Sequence, residues 1–168
     1  MGLFDKLFKK EEAPKIVTEK GALYAPISGR YIPLEEVPDV VFSQGILGPG
    51  CGIEPEDGIC AAPADGTVTQ VTDTKHAVGI TTEDGAEILI HIGMDTVEMG
   101  GDGFVCKVKE GQKVNCGQTL ITFDMKKIEA AGHPTCTAFV LTNPDDYPDF
   151  RIETGSEYKR TDKVGILK

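Results

Sequence analysis

The chain is predicted to fold as an all-β domain, an antiparallel sandwich or barrel-like structure of duplicated hairpin units with little helix. Twenty glycines and ten prolines in 168 residues demand frequent turns. The apolar residues come in short runs separated by Ser-Gly, Pro-Gly, Asp-Gly and Glu-Gly pairs, which punctuate strands rather than long helices. Finally, Ala25-Pro26-Ile27-Ser28-Gly29 is echoed by Ala62-Pro63-Ala64-Asp65-Gly66, and each is followed by a strand-like run.

Taken in order, the first ten residues differ from the rest. Wound as a helix, Leu3, Phe4, Leu7 and Phe8 share one side, while Asp5, Lys6, Lys9 and Lys10 share the other. A small basic amphipathic helix of this kind suits weak contact with an anionic membrane through residues 2–10. It would equally suit a helix folded back on the domain. Gly2 is not followed by Ser or Thr at position 6, which is Lys6, so a myristoylation motif fails. Glu11 to Lys15, with Pro14, reads as a linker. The expected organisation is therefore an N-terminal segment over 1–15 and one domain over 16–168.

Strands are expected at Leu23 to Ala25, Arg30 to Pro33, Gly45 to Ile53, Gly66 to Thr72, His76 to Thr82 and Ala86 to Ile92. Others are expected at Phe104 to Val108, Gln118 to Phe123, Thr137 to Leu141 and Val164 to Leu167. One stretch has helix character: Met125 to Ala131, headed by Asp124 as N-cap and stopped by Gly132.

Bulk properties narrow the function. A formal charge of −10 repels a phosphate backbone and argues against nucleic-acid binding, while it suits a basic protein partner. Cys51, Cys60, Cys106, Cys116 and Cys136 are odd in number and lack CxxC spacing. They read as reduced, mostly buried thiols of a cytoplasmic protein rather than as a zinc site or a disulfide framework. No apolar stretch approaches the ~20 residues of a membrane span.

Three histidines carry the chemical interest. His133 precedes Pro134 in a turn and reads as a surface residue. His91 interrupts the apolar run ILIHIG. A histidine there is ordinarily a core residue satisfied by a backbone carbonyl. Strand alternation, however, puts Ile88, Ile90 and Ile92 on one face and Glu87, Leu89 and His91 on the other. A hairpin about Asp84-Gly85 would bring His76 toward His91. Two adjacent imidazoles can bind a metal, or one can serve as nucleophile while the other donates to the group it receives.

The run GAEILIHIGMDTV, Gly85 to Val97, resembles the phosphorylation-site signature of the glucose-type IIA component of the bacterial phosphoenolpyruvate-dependent sugar phosphotransferase system. The similarity extends to MGLFDKL, APISG, PDVVF, APADGTV, TKHAVGI and GFVCKVKEGQKVNCGQTLITFD, and weakens after about Thr142. The resemblance implies a phosphotransferase component working through a phosphohistidine. His91 would accept a phosphoryl group from the carrier protein HPr and pass it to a cysteine on the IIB domain of a sugar permease. It implies that His76 donates to the phosphoryl oxygens, that Thr74 orients His76, and that the Gly93 carbonyl holds the Nδ1 proton of His91. Asp39 and Asp95 resemble rim carboxylates that meet an arginine of HPr. Val40, Val41, Phe42, Ile46 and Val97 resemble an apolar ring around the site. The resemblance further implies a regulatory role toward other proteins, a zinc at His76 and His91 that some relatives share with a partner, and no required cofactor. Where some members carry phenylalanines, this chain has Thr72, Val78 and Leu89, which bears on partner preference.

Two other readings use the same residues. EGQKVNCGQTLITFDMKKIEA also resembles half of a biotinyl or lipoyl domain, with Lys126 as the modified residue, although the sequence after Lys126 reads as helix. A zinc protein using His76 and His91 would need further ligands, and no H-x-H pair supplies them.

Overall fold

The structure, a computed structural model, describes residues 16–167. The expected N-terminal segment 1–15, with its amphipathic stretch 2–10, and Lys168 lie outside the described residues.

The strands are β1 (Ala22–Tyr24), β2 (Gly29–Pro33), β3 (Gly50–Pro55), β4 (Ile59–Ala61), β5 (Gly66–Val71), β6 (Ala77–Thr82) and β7 (Glu87–His91). They continue with β8 (Phe104–Cys106), β9 (Lys113–Val114), β10 (Thr119–Phe123), β11 (Thr137–Leu141), β12 (Arg151–Ile152), β13 (Glu157–Tyr158) and β14 (Lys163–Ile166). Two short α-helices, α1 (Val40–Ser43) and α2 (Met125–Ala130), and three 3₁₀ turns complete the described residues. The all-β antiparallel expectation holds. An eight-stranded sheet runs β13-β2-β3-β11-β7-β6-β5-β9, and two three-stranded sheets run β1-β14-β12 and β4-β10-β8. Every pairing is antiparallel.

The five-residue echo has a structural counterpart. Gly29 and Gly66 each open a strand of the large sheet, and a Cβ on either would lie inside a carbonyl oxygen of the neighbouring strand, that of Glu54 or of Thr81. Only glycine permits that approach. Each copy also accepts from the residue just before the other, Tyr24 N–H to the Pro63 carbonyl and Ala61 N–H to the Pro26 carbonyl, both at 2.8 Å. Each copy then accepts an equivalent loop: Thr161 N–H donates to Ala25 and Gly117 N–H to Ala62. The duplicated segments thus lie side by side, joined by a symmetric pair of backbone bonds.

One hydrophobic core, including Leu23, Ile27, Tyr31, Ile53, Ile80, Ile90, Leu120, Ile121 and Phe139, fills the interior. A smaller one, with Ile32, Leu34, Val37, Phe42, Met94, Cys136, Ala138 and Val140, lies beneath α1. Each of the valine, leucine, isoleucine, phenylalanine and methionine side chains among them contributes roughly 1.5–3 kcal/mol when fully buried.

Several boundaries depart from expectation. The strand expected over Gly45 to Ile53 begins only at Gly50, because Gly45 (φ 73°) and Gly48 (φ 128°) turn the chain away from extended geometry. β4, β9, β12 and β13 are two or three residues long, too short for alternation to register. Helix α1 was not anticipated: Asp39 caps it, its Oδ1 accepting from the N–H groups of Val41 (2.9 Å) and Phe42 (3.2 Å). Helix α2 is where expected, with Asp124 accepting from Lys127 N–H and Gly132 (φ 84°) ending the helical run.

Candidate functional site

The β6–β7 hairpin aligns Ala77 with His91, and Ile92 N–H donates to the His76 carbonyl at 2.8 Å. His76 and His91 are therefore near-neighbours across the end of the hairpin. Their ring centroids are 4.8 Å apart, with the planes at 82°. Strand parity acts as expected: Ile88, Ile90 and Ile92 are buried, whereas Leu89 and His91 are half-buried on the opposite face.

Each imidazole is held at Nδ1. His91 Nδ1 lies 2.9 Å from the Gly93 carbonyl oxygen. A carbonyl only accepts, so the ring proton sits on Nδ1 and Nε2 carries the lone pair. Gly93 (φ 71°) makes the bend that returns this carbonyl toward the ring. His76 Nδ1 lies 2.6 Å from Thr74 Oγ1 and 3.4 Å from Thr72 Oγ1. Lys75 (φ 61°) and a Lys75 N–H to Thr72 carbonyl bond make the tight turn that delivers Thr74. When the Thr74 hydroxyl donates, His76 Nε2 carries a proton and can itself donate. Among the described residues neither Nε2 has a hydrogen-bond partner.

Both rings are kept neutral near pH 7. Burial lowers the pKa of His76 to about 4, assisted by repulsion from His91. Burial also lowers His91; the Gly93 carbonyl and the carboxylates of Asp39 and Asp95 oppose that shift without cancelling it. Phe42 stands against His91 at 5.0 Å between centroids, and Phe104 against His76 at 6.5 Å.

Around these sheltered rings the surface is apolar. Val40 (65% exposed), Val41 (43%) and Ile46 (64%) come from α1 and the turn after it, and Val97 (55%) from the 3₁₀ turn Thr96–Met99. Leu47, which the sequence did not single out, adds to the same loop (39%). These are five of the seven exposed large apolar residues among those described. Phe42, expected in the ring, is buried beneath it as the wedge between α1 and His91. Asp39 is committed through Oδ1 to capping α1, and Asp95 is exposed at a left-handed position (φ 58°).

The remaining candidates fall elsewhere. His133, expected on the surface, has a side chain only 14% exposed, with Nε2 3.7 Å from Glu98. It is covered because its turn packs on the segment after His91, where Met94 N–H donates to the Pro134 carbonyl. All five cysteines are unpaired with one another, and only Cys106 is not fully buried. Burial pushes the thiols of Cys60 and Cys116 up to about 12 and that of Cys136 up to about 11, and it raises Cys51 as well. They are packing residues held as thiols. Lys126 lies exposed on helix α2. No group of three or more His, Cys, Asp or Glu residues able to hold a metal occurs among the described residues. The pair offers two Nε2 ligands, and zinc takes four; a partner or solvent would have to supply the others.

The comparisons with known proteins agree with one another. Residues 21–147 match the family model for the phosphoenolpyruvate-dependent sugar phosphotransferase system, EIIA 1. The chain is 43% identical over 160 residues to the PTS system glucose-specific EIIA component of Halalkalibacterium halodurans, covering 94% of this chain and 92% of that protein. It is 49% identical over 125 residues to the PTS system beta-glucoside-specific EIIBCA component of Bacillus subtilis, spanning 74% of this chain but 20% of that one. The solved glucose permease IIA from Mycoplasma capricolum superposes with a TM-score of 0.79 at 37% identity, covering 88% of this chain and 95% of that one.

Proposed function

The chain belongs to the EIIA 1 family of the phosphoenolpyruvate-dependent sugar phosphotransferase system, and from that premise we propose that His91 is the residue on which it carries phosphate. As a family member it is a phosphocarrier of that system, and neither the swinging-arm reading of Lys126 nor the zinc-protein reading finds support.

The observation that carries the proposal is the His91 Nδ1 to Gly93 carbonyl bond, which leaves Nε2 with a free lone pair at neutral pH. That lone pair attacks the phosphorus of a phosphohistidine on HPr. The new N–P bond forms as the donor's N–P bond breaks, and the electron pair returns to the donor imidazole. In the second transfer a thiolate of the IIB domain attacks the same phosphorus, and the pair returns to His91. Transfer of this kind depends on alignment and charge stabilisation more than on covalent chemistry by the protein. His76, polarised by Thr74, donates from Nε2 to the transferring oxygens. Asp39, through its second oxygen, and Asp95 meet cationic groups of HPr, while Val40, Val41, Ile46 and Val97 form the apolar contact. The permease partner is of the glucose type, and the carrier works in the cytoplasm with residues 16–168 as its domain.

Incubation with phosphoenolpyruvate, enzyme I and HPr, followed by mapping of the modified residue, tests this. His91→Gln is expected to abolish labelling. His76→Gln is expected to accept phosphate but fail to pass it on. An acid-labile phosphate on the His91→Gln protein would overturn the assignment.

A further inference from the structure

We propose that Thr96 is a positioning residue for phosphoryl transfer, its hydroxyl fixing the bend whose Gly93 carbonyl holds His91 with Nε2 free. The inference rests on His91 being the phosphate acceptor.

Thr96 is fully buried, and its Oγ1 donates to the Ile92 carbonyl at 2.6 Å. Ile92 is also fully buried, so this carbonyl, one residue past His91, depends on the Thr96 hydroxyl for its partner. The Thr96 methyl closes the other side: a Cβ on Gly93 would come within 2.5 Å of Thr96 Cγ2 and 3.0 Å of the Pro134 carbonyl. The hydroxyl therefore pins the peptide before Gly93, while the methyl merely occupies the space a side chain at position 93 would take.

Gly93 (φ 71°) and Asp95 (φ 58°) are both left-handed within three residues, a geometry glycine adopts freely and aspartate tolerates. Besides the Thr96 bond, the bend is held by Met94 N–H to the Pro134 carbonyl (3.1 Å), Glu98 N–H to the Asp95 carbonyl (3.1 Å) and the His91 Nδ1 to Gly93 bond itself (2.9 Å). If the bend relaxed, the Gly93 carbonyl would swing from Nδ1. Nothing would then keep the imidazole proton off Nε2, and a protonated Nε2 has no lone pair to attack with. Thr96 reaches neither phosphate nor partner; it acts through the tautomer of His91.

The test is Thr96→Val, which keeps the shape and removes the hydroxyl, beside Thr96→Ser, which keeps the hydroxyl and removes the methyl. Phosphorylation by phospho-HPr is followed together with ¹⁵N NMR of the His91 ring. Thr96→Val is expected to slow acceptance about 10- to 100-fold, the scale of an ångström-level misplacement, and to convert the single Nδ1-protonated tautomer into a mixture. Thr96→Ser is expected to keep that tautomer and to react within about threefold of the native rate, since its hydroxyl can make the same bond. A Thr96→Val protein with native rate and tautomer overturns the proposal, as does a Thr96→Ser protein as slow as Thr96→Val. Should Thr96→Val fail to fold, the native protein decides. A slowly exchanging Thr96 hydroxyl proton supports the clamp, and its absence refutes it. The tautomer is read without phosphate, so a wrong phosphosite and a wrong clamp give different results.

Discussion

Replacing His76 with Gln should remove part of the protein's sensitivity to mild acid. His76 titrates at about 4 in the folded protein, against roughly 6.5 for an unperturbed histidine. Between those values the unfolded chain binds the proton and the folded chain does not, so stability falls as pH drops through this window. From pH 7.5 to pH 5 the full depression corresponds to about 2 kcal/mol, and coupling to His91 brings the expected value to about 1–2 kcal/mol. pH 5 is the useful lower limit, since most carboxylates remain ionised there. Urea unfolding at both pH values, with matching slopes, gives the loss for each protein. The native protein should lose more than His76→Gln by the stated amount, because the titrations other than those of His76 and its coupled neighbour His91 are common to both. Equal losses in the two proteins would refute the claim that burial and the His91 ring hold His76 neutral.

The glycine at the bend and the apolar rim make further predictions. Gly93→Ala must displace Thr96 Cγ2 or the Pro134 carbonyl and hold a side chain at φ 71°; a loss of about 1–3 kcal/mol is expected, read by thermal or urea unfolding, along with slowed phosphorylation. Val40→Asp and Ile46→Asp place charges on side chains already about two-thirds exposed. Stability should stay within about 0.5 kcal/mol of native, while KM for phospho-HPr rises; an unchanged KM would show that the partner does not use this rim.

The sheet was legible because its strands alternate and its turns carry glycine, and the histidine pair because parity and the Asp84-Gly85 turn both act within one hairpin. What escaped was either too short or too distant. Helix α1 is four residues, so no periodicity could reveal it, although Pro38-Asp39 ahead of an apolar run is a capping signal in hindsight. His133 read as a surface residue because its cover comes from the segment after His91, some forty positions earlier in the chain. Phe42 was visible as apolar, yet its place beneath the rim rather than on it depended on the smaller core under α1. Thr96 stands in the signature, but its bond to the Ile92 carbonyl forms in an irregular bend that no residue periodicity marks.

Strand β1 lies hydrogen-bonded to β14, Ala22 facing Ile166. The two ends of the described domain therefore leave from one place, and none of the residues around the histidines belongs to either strand. A unit whose entry and exit are side by side is spliceable: it can hang from a longer polypeptide by one edge, like a bead on a loop. The arrangement tolerates added chain at either end without parting the β1–β14 pairing.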